Sequence, residues 1–223
     1  MLTEEGKKRI DKKYFNSTIY DYKYFFEKYD FYSKEKRVLD VGCGAGQNLR
    51  YFSPQSLGIT YTNDDVIKYA KERYNLDLVK FNVENRWPDN LGKFDLIFNA
   101  DNIIHLSSPF KLLRECRKVL KDDGKILLMI PQSSPFFKAD KSVLHPYTFN
   151  KKTLVHLMEH AGFEIEDTFG YIRKLPIWLN QVLNFITKLW GPNIWVLARK
   201  NKDFKISPGN IKPDWISDDA WDN

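Results

Sequence analysis

The sequence predicts an α/β fold, a mostly parallel sheet with helices on both faces, and three observations carry that expectation. From Lys36 onward, short apolar runs of strand length alternate with segments of helical periodicity, the order that builds a parallel sheet. Lys125 to Ile130 is an apolar run bounded by turn signals, the pattern of a strand buried on both faces. The 223 residues, 43% apolar and 29% charged, suit one hydrophobic core and exclude a disordered chain.

Residues 4–35 contain no glycine or proline after Gly6. Their apolar positions (Ile10, Tyr14, Phe15, Ile19, Tyr22, Phe25, Phe26, Tyr29) recur at helical spacing, so one or two amphipathic helices precede the sheet. Strands follow at Arg37 to Val41, Leu57 to Thr62, Asp77 to Val83, Phe94 to Asn99 and Lys125 to Ile130. Between them lie a helix beginning near Gln47, a helix from Asp64 to Tyr74, and a helix opened by Ser108 and Pro109, a polar cap with proline in the first turn. Asp123 and Gly124 read as the stop of that last helix. Pro131 to Phe149 is a long loop, and a helix capped by Asn150 then closes at Gly162. Phe163 to Tyr171 and Asn193 to Arg199 complete seven strands, with an apolar helix, Pro176 to Trp190, between them.

Composition narrows the function classes. No run approaches the roughly 18 apolar residues of a membrane span. Two distant cysteines, Cys43 and Cys116, make no disulfide framework, and with no leader pattern before Thr3 a cytoplasmic location is expected. The net charge of +6 is spread over the chain; its densest cluster, Lys7 to Lys13, is interleaved with acidic residues, so nucleic acid is a disfavoured partner. Aromatics make up 15% of residues and concentrate outside the five-strand stretch.

The residues richest in chemistry are Val38-Leu39-Asp40-Val41-Gly42-Cys43-Gly44-Ala45-Gly46-Gln47. Glycines at alternate positions let the chain turn tightly at the carboxyl end of a strand and let a ligand approach the backbone, where open α/β sheets bind ligands. A dinucleotide fingerprint would place its third glycine where Gln47 stands, and no Gly-Lys-Ser/Thr follows for a phosphate loop. A carboxylate at Asp40 would repel a phosphate and attract an ammonium group, so a zwitterionic or cationic ligand is expected.

This stretch resembles the first motif of the class I S-adenosylmethionine-dependent methyltransferases. Further segments similar to that family follow in order: Leu57-Gly58-Ile59-Thr60, Phe81-Asn82-Val83-Glu84, Phe94 to Asn99, Glu115 to Lys125, and Ala161-Gly162-Phe163-Glu164, so the resemblance covers roughly Arg37 to Lys200. It implies a Rossmann-like seven-stranded sheet with an antiparallel last strand and an N-terminal helical cap. It implies S-adenosylmethionine as cofactor and S-adenosylhomocysteine as product. By position, the cofactor would meet Asp40, Gly42, Cys43, Gly44, Gly46, Gln47, Thr60, Tyr61, Asn82, Val83, Glu84 and Asn99, with Asp40 on the amino group and Asn82 and Val83 on the adenine. Cys43 itself reads as packing that contributes only its backbone. The family usually ends its second strand in Asp or Glu; Thr60 offers a single neutral hydroxyl to the ribose, and Gln47, Asn63 or Asp64 would supply another contact.

The resemblance implies methyl transfer to a small-molecule, lipid-linked or glycan-linked acceptor, with a hydroxyl oxygen preferred; its pocket would be walled by the N-terminal helices, the Pro131 to Phe149 loop and the Pro176 to Trp190 helix, whose aromatics point to an apolar or ring-bearing acceptor under a lid. Nitrogen or carbon acceptors and a non-catalytic partner subunit are the alternatives. A hydroxyl acceptor needs a base, for which His105, just after the fourth strand, and His145, in the long loop, are the candidates. His156 and His160 read as helix-surface residues, and no metal set is evident. Asn99-Ala100-Asp101-Asn102 lacks the motif of nucleic-acid amino methyltransferases. The chain divides into a cap at 1–35, a methyltransferase domain at 36–200 with lid insertions at 131–149 and 172–192, and a tail at 201–223. The 172–192 helix, tryptophan-bearing near both ends, reads first as packing on the sheet and second as a peripheral membrane contact.

Overall fold

A computed structural model of the chain describes residues 2–16, 22–132, 147–172 and 175–204. Its seven strands are β1 (Val38–Val41), β2 (Leu57–Thr60), β3 (Leu78–Lys80), β4 (Phe94–Ala100), β5 (Leu120–Pro131), β6 (Phe163–Tyr171) and β7 (Asn193–Lys200). They form one sheet in the order β3-β2-β1-β4-β5-β7-β6. The pairs from β3 to β5 are parallel and β7 runs antiparallel to both β5 and β6, as the sequence leads one to expect.

The helices are α1 (Glu4–Ile10), α2 (Lys23–Lys28), α3 (Asp64–Tyr74), α4 (Pro109–Val119), α5 (Lys151–His160), α6 (Ile177–Val182) and α7 (Asn184–Trp190). Their caps follow the sequence signals. Asn63 caps α3 and Ser108 caps α4 with Pro109 behind it, while Asn150 and Thr153 form a reciprocal capping box on α5. The sheet separates two apolar layers. One holds Leu112, Leu113 and Cys116 of α4 with Leu154 and Met158 of α5; the other holds the N-terminal segment with Tyr69 and Ala70 of α3.

Several boundaries differ from the sequence expectation, each for a physical reason. The helix expected from Gln47 is a single 3₁₀ turn, Gln47–Tyr51, tied down because Leu49 and Asn48 are buried beneath the glycine loop. β5 begins at Leu120, directly after α4. Asp123 and Gly124 therefore lie inside the strand, where a register shift between Phe94 and Leu96 absorbs the extra residues as a bulge. Among its described residues the 4–35 stretch forms α1, a π-helical turn at Asp11–Phe15, and α2; Ile19 lies outside them. The expected 176–190 helix is two short helices that meet at Leu183.

Part of the aromatic excess is core. Phe25, Phe26 and Phe31 are fully buried, and Phe25 stacks on Trp195 of β7 with centroids 3.9 Å apart and planes 15° from parallel. Phe26 meets Phe98 edge-on at 5.0 Å and Phe52 at 4.9 Å, and Tyr22 meets Trp195 edge-on at 5.3 Å. These rings fasten the N-terminal segment to the sheet, so that part of the excess is core, while the aromatics expected at 136–146 and in the tail lie outside the described residues. Each fully buried ring contributes roughly 1.5–3 kcal/mol by transfer, and ring geometry adds about 0.5–1.5 kcal/mol per pair. Phe25→Ala should therefore lower unfolding free energy by about 3–5 kcal/mol in denaturant titration, while the exposed Phe185→Ala should change it by less than about 0.5 kcal/mol.

Candidate cofactor and acceptor site

β1 is buried throughout and delivers the chain to the carboxyl edge of the sheet, between β2 and β4. There Gly42, Gly44 and Gly46 all adopt left-handed backbone, with φ of +76°, +59° and +79°. Neighbours enforce the choice as well: a Cβ on Gly42 would lie 2.5 Å from the Asn102 side chain, and one on Gly46 2.7 Å from Leu78. The loop is tied to β2 by three bonds. The amides of Gly42 and Cys43 both donate to the Ile59 carbonyl, at 2.9 and 3.0 Å, and the buried Thr60 hydroxyl donates to the Gly44 carbonyl at 2.8 Å. Thr60 Oγ1 also accepts from the Thr62 amide at 3.2 Å, which leaves it one acceptor position.

Asp40 lies beneath this loop, almost wholly buried, and its carboxylate accepts from Asn48 Nδ2 at 3.4 Å. Burial pushes its carboxyl up to about 7, opposed only in part by the Asn48 bond. Burial also pushes the Cys43 thiol well above its usual range, so it stays neutral, packed where a Cβ on Gly58 would lie 2.6 Å from its sulfur. Asn99, fully buried at the end of β4, donates to the Val41 carbonyl at 2.9 Å and to Asn102 Oδ1 at 3.3 Å. Its own Oδ1, like the buried Oε1 of Gln47, has no hydrogen-bond partner among the described residues.

A cleft of about 530 Å³ opens beside the loop, lined by Gly42, Gln47, Asn48, Asp101, Asn102 and His105. Lys13, Tyr14, Tyr22, Arg50 and Tyr51 close its other wall. Of the expected site residues it thus gathers Gly42, Gln47 and His105. Asp40 is screened from it by Asn48. His105 is exposed and ends a 3₁₀ turn, Ile103–His105, whereas His145 lies outside the described residues. Sequence reasoning missed Asn48, Asn102, Lys13, Tyr14 and Arg50. Asn102 meets Gly42, and Lys13 and Tyr14 reach the cleft, only through tertiary packing.

The expected adenosine-side residues stand at neighbouring strand ends. Tyr61 is 76% exposed. Asn82 Oδ1 accepts from the Glu84 amide at 3.0 Å, a local turn, and Val83 is buried in the core with its carbonyl bonded to Trp87 Nε1. Glu84 accepts from the Ser107 amide at 2.6 Å and from the Ser107 hydroxyl, which hold its carboxyl below the usual range. His156 and His160 sit on α5 away from this site, ring to ring at 4.0 Å.

These residues fit a ligand with a cationic, hydrogen-bonding head. Left-handed glycines open the backbone to close approach, two buried amide oxygens await donors, and a buried carboxylate lies behind them. Two predictions follow from the geometry. Because the folded Asp40 binds its proton more tightly than the unfolded chain does, ionising it destabilises the fold above about pH 7. Asp40→Asn should therefore unfold with a higher free energy than the parent at pH 8, by on the order of a few kcal/mol in denaturant titration, with the gap closing as pH falls from about 7 into the ordinary carboxylate range. Thr60→Val removes the bond to Gly44 and should cost about 1 kcal/mol of stability, and by loosening the loop should weaken cofactor binding measured by calorimetry.

The family model for the methyltransferase domain matches residues 18–168. The chain is 30% identical over 141 residues to a probable S-adenosylmethionine-dependent methyltransferase of Mycolicibacterium smegmatis, covering 60% of this chain and 54% of that protein. It is 28% identical over 159 residues to the ubiquinone biosynthesis O-methyltransferase of Xanthomonas axonopodis, covering 61% of this chain and 66% of that one. The chain thus spans about half to two thirds of the length of these relatives. The structure of a TehB-like methyltransferase from Corynebacterium glutamicum shares the fold, with a TM-score of 0.62 at 17% identity over 89% of this chain and 100% of that one. With the glycine loop, the strand order and a family match over most of its length, the chain belongs to the S-adenosylmethionine-dependent methyltransferases.

Proposed function

We propose that the chain transfers a methyl group from S-adenosylmethionine to a hydroxyl oxygen of a small-molecule or lipid- or glycan-linked acceptor. The observation that carries this reading is His105 in the same cleft as Gly42 and Gln47, so that a base and the cofactor loop address one space. When bound, the cofactor supplies a methyl on a positively charged sulfur, a leaving group that needs no further activation.

The protein's own work is alignment and proton management. The glycine loop positions the methionine end, with Gln47 Oε1 and Asn99 Oδ1 as acceptors for its donors and Asp40 reinforcing positive charge through Asn48. The free acceptor position on Thr60 receives one ribose hydroxyl, and Asn82, Val83 and Tyr61 border the adenine. Holding donor and acceptor in line is worth about 7–11 kcal/mol. His105 would take the hydroxyl proton of the acceptor, while the cofactor would supply the methyl and keep the electron pair on its sulfur. A placed base adds roughly 10²- to 10⁴-fold.

An O-methyltransferase among the sequence relatives supports the choice of oxygen. The decisive experiment is the rise in melting temperature on adding S-adenosylmethionine, followed by methyl transfer to panels of phenols, sugars and lipid extracts. Stabilisation without transfer to any acceptor would favour the non-catalytic alternative. His105→Ala is expected to lower turnover about 10²-fold or more while cofactor affinity changes by no more than about twofold; unchanged turnover would remove His105 as the base.

A further inference from the structure

The two short helices between β6 and β7 are folded inside out. Their polar residues face the protein: Asn180 is 0% exposed and Thr187 3%. Asn180 accepts from the Ile172 amide at 2.8 Å and donates to the carbonyls of Ile172 and Leu175, Asn184 accepts from the Gly170 amide at 2.9 Å, and Thr187 donates to the Gly170 carbonyl at 3.0 Å. Four large apolar residues face outward: Trp178 is 62% exposed, Val182 73%, Phe185 74% and Ile186 49%, while Ile177 packs inward. A helix bordering water carries the reverse pattern.

Packing explains why the inner face must be polar. α7 lies so close to β6 that a Cβ on Gly170 would fall on the backbone of Thr187 and Lys188, and the hydrogen bonds of an edge strand need partners there. It does not explain the outer face. Four large exposed apolar side chains on one short surface call for an apolar environment.

Charge and position indicate which one. From Thr168 to Ala198 the sequence contains no aspartate or glutamate, but carries Arg173, Lys174 and Lys188. Lys188 lies close enough to Lys151 of α5 that its charge, after burial, helps hold that ammonium below its usual range. α6 follows the end of β6, and α7 leads into the start of the antiparallel β7, so both helices sit at the carboxyl edge of the sheet, the edge that carries the glycine loop. Gln181 of α6 donates to Tyr24 Oη of α2, and Tyr22, which opens α2, lines the acceptor cleft.

We infer that the outward face of α6 and α7 docks on an anionic lipid bilayer surface, with Trp178, Val182, Phe185 and Ile186 entering the interface and Lys188 against the headgroups. Such binding combines buried apolar area with attraction to negative lipid, and it turns the carboxyl edge toward the membrane. The inference stands on the helices alone and does not depend on which acceptor is methylated.

The test is sedimentation of the full chain with vesicles of phosphatidylcholine alone and of equimolar phosphatidylcholine and phosphatidylglycerol. The parent should sediment with the mixed vesicles and far less with the neutral ones. W178S/F185S should weaken that binding at least about tenfold, and Lys188→Glu should weaken it selectively on the anionic vesicles. Melting temperature and its rise with S-adenosylmethionine serve as folding controls, and Val182→Ser provides a milder variant should the double one lose either. The inference is overturned if the parent ignores anionic vesicles, if the substitutions leave binding unchanged in folded protein, or if the parent is a dimer that W178S/F185S converts to monomer.

Discussion

Five residues of backbone, Gly42 to Gly46, set the conditions for the rest of this molecule. Three of them are left-handed, and the turn is held by the Ile59 carbonyl and the Thr60 hydroxyl, so the ends of β1 and β2 are fastened to each other through the loop as well as through their ladder. Asn102 closes against Gly42, and Leu78 against Gly46, so β4 and β3 are also registered to it. A side chain at Gly42 would push against Asn102 just past β4, and one at Gly46 against Leu78 of β3. The loop is therefore as much a keystone of the sheet's carboxyl edge as it is a ligand cradle.

Polar burial is concentrated at that same edge. Asp40, Asn48, Thr60 and Asn99 are buried there, in a fold whose central strands are otherwise filled with Leu, Ile, Val and Phe. An unpaired buried amide oxygen costs about 1–3 kcal/mol, and a buried carboxylate with one long bond costs more. The ring cluster around Phe25, Phe98 and Trp195 offsets this on the same side of the sheet, at the expense of the Trp195 indole N–H, which is buried with no partner among the described residues. Packing decides that position over hydrogen bonding.

What could be read in the sequence depended on how local its cause was. Caps at Ser108 and Asn150 act within one turn and stand where the sequence puts them, whereas Asn63, expected near the ribose, is the cap of α3. The glycine loop is local too. Strand identity survived because apolar runs need only a sheet to bury them, but their ends did not: Asp123 and Gly124 look like a helix stop, and only pairing with β4 shows that they form a bulge. The aromatic residues of the first helices misled for the opposite reason. Their partners, Phe98, Phe169 and Trp195, are distant in sequence, so composition alone could not separate a core from a lid. Likewise Asn48, Lys13 and Arg50 line the cleft through contacts that no short motif encodes.

The stacking of Phe25 on Trp195 also orders events in time. Trp195 belongs to β7, which inserts between β5 and β6. The segment that carries Phe25 is synthesised well before the strand that carries its ring partner. Contacts of such long sequence separation form late and slowly. Until β7 is made, Phe25 lacks the ring on which it stacks, so the docking of the first helices is completed only once β7 has entered the sheet.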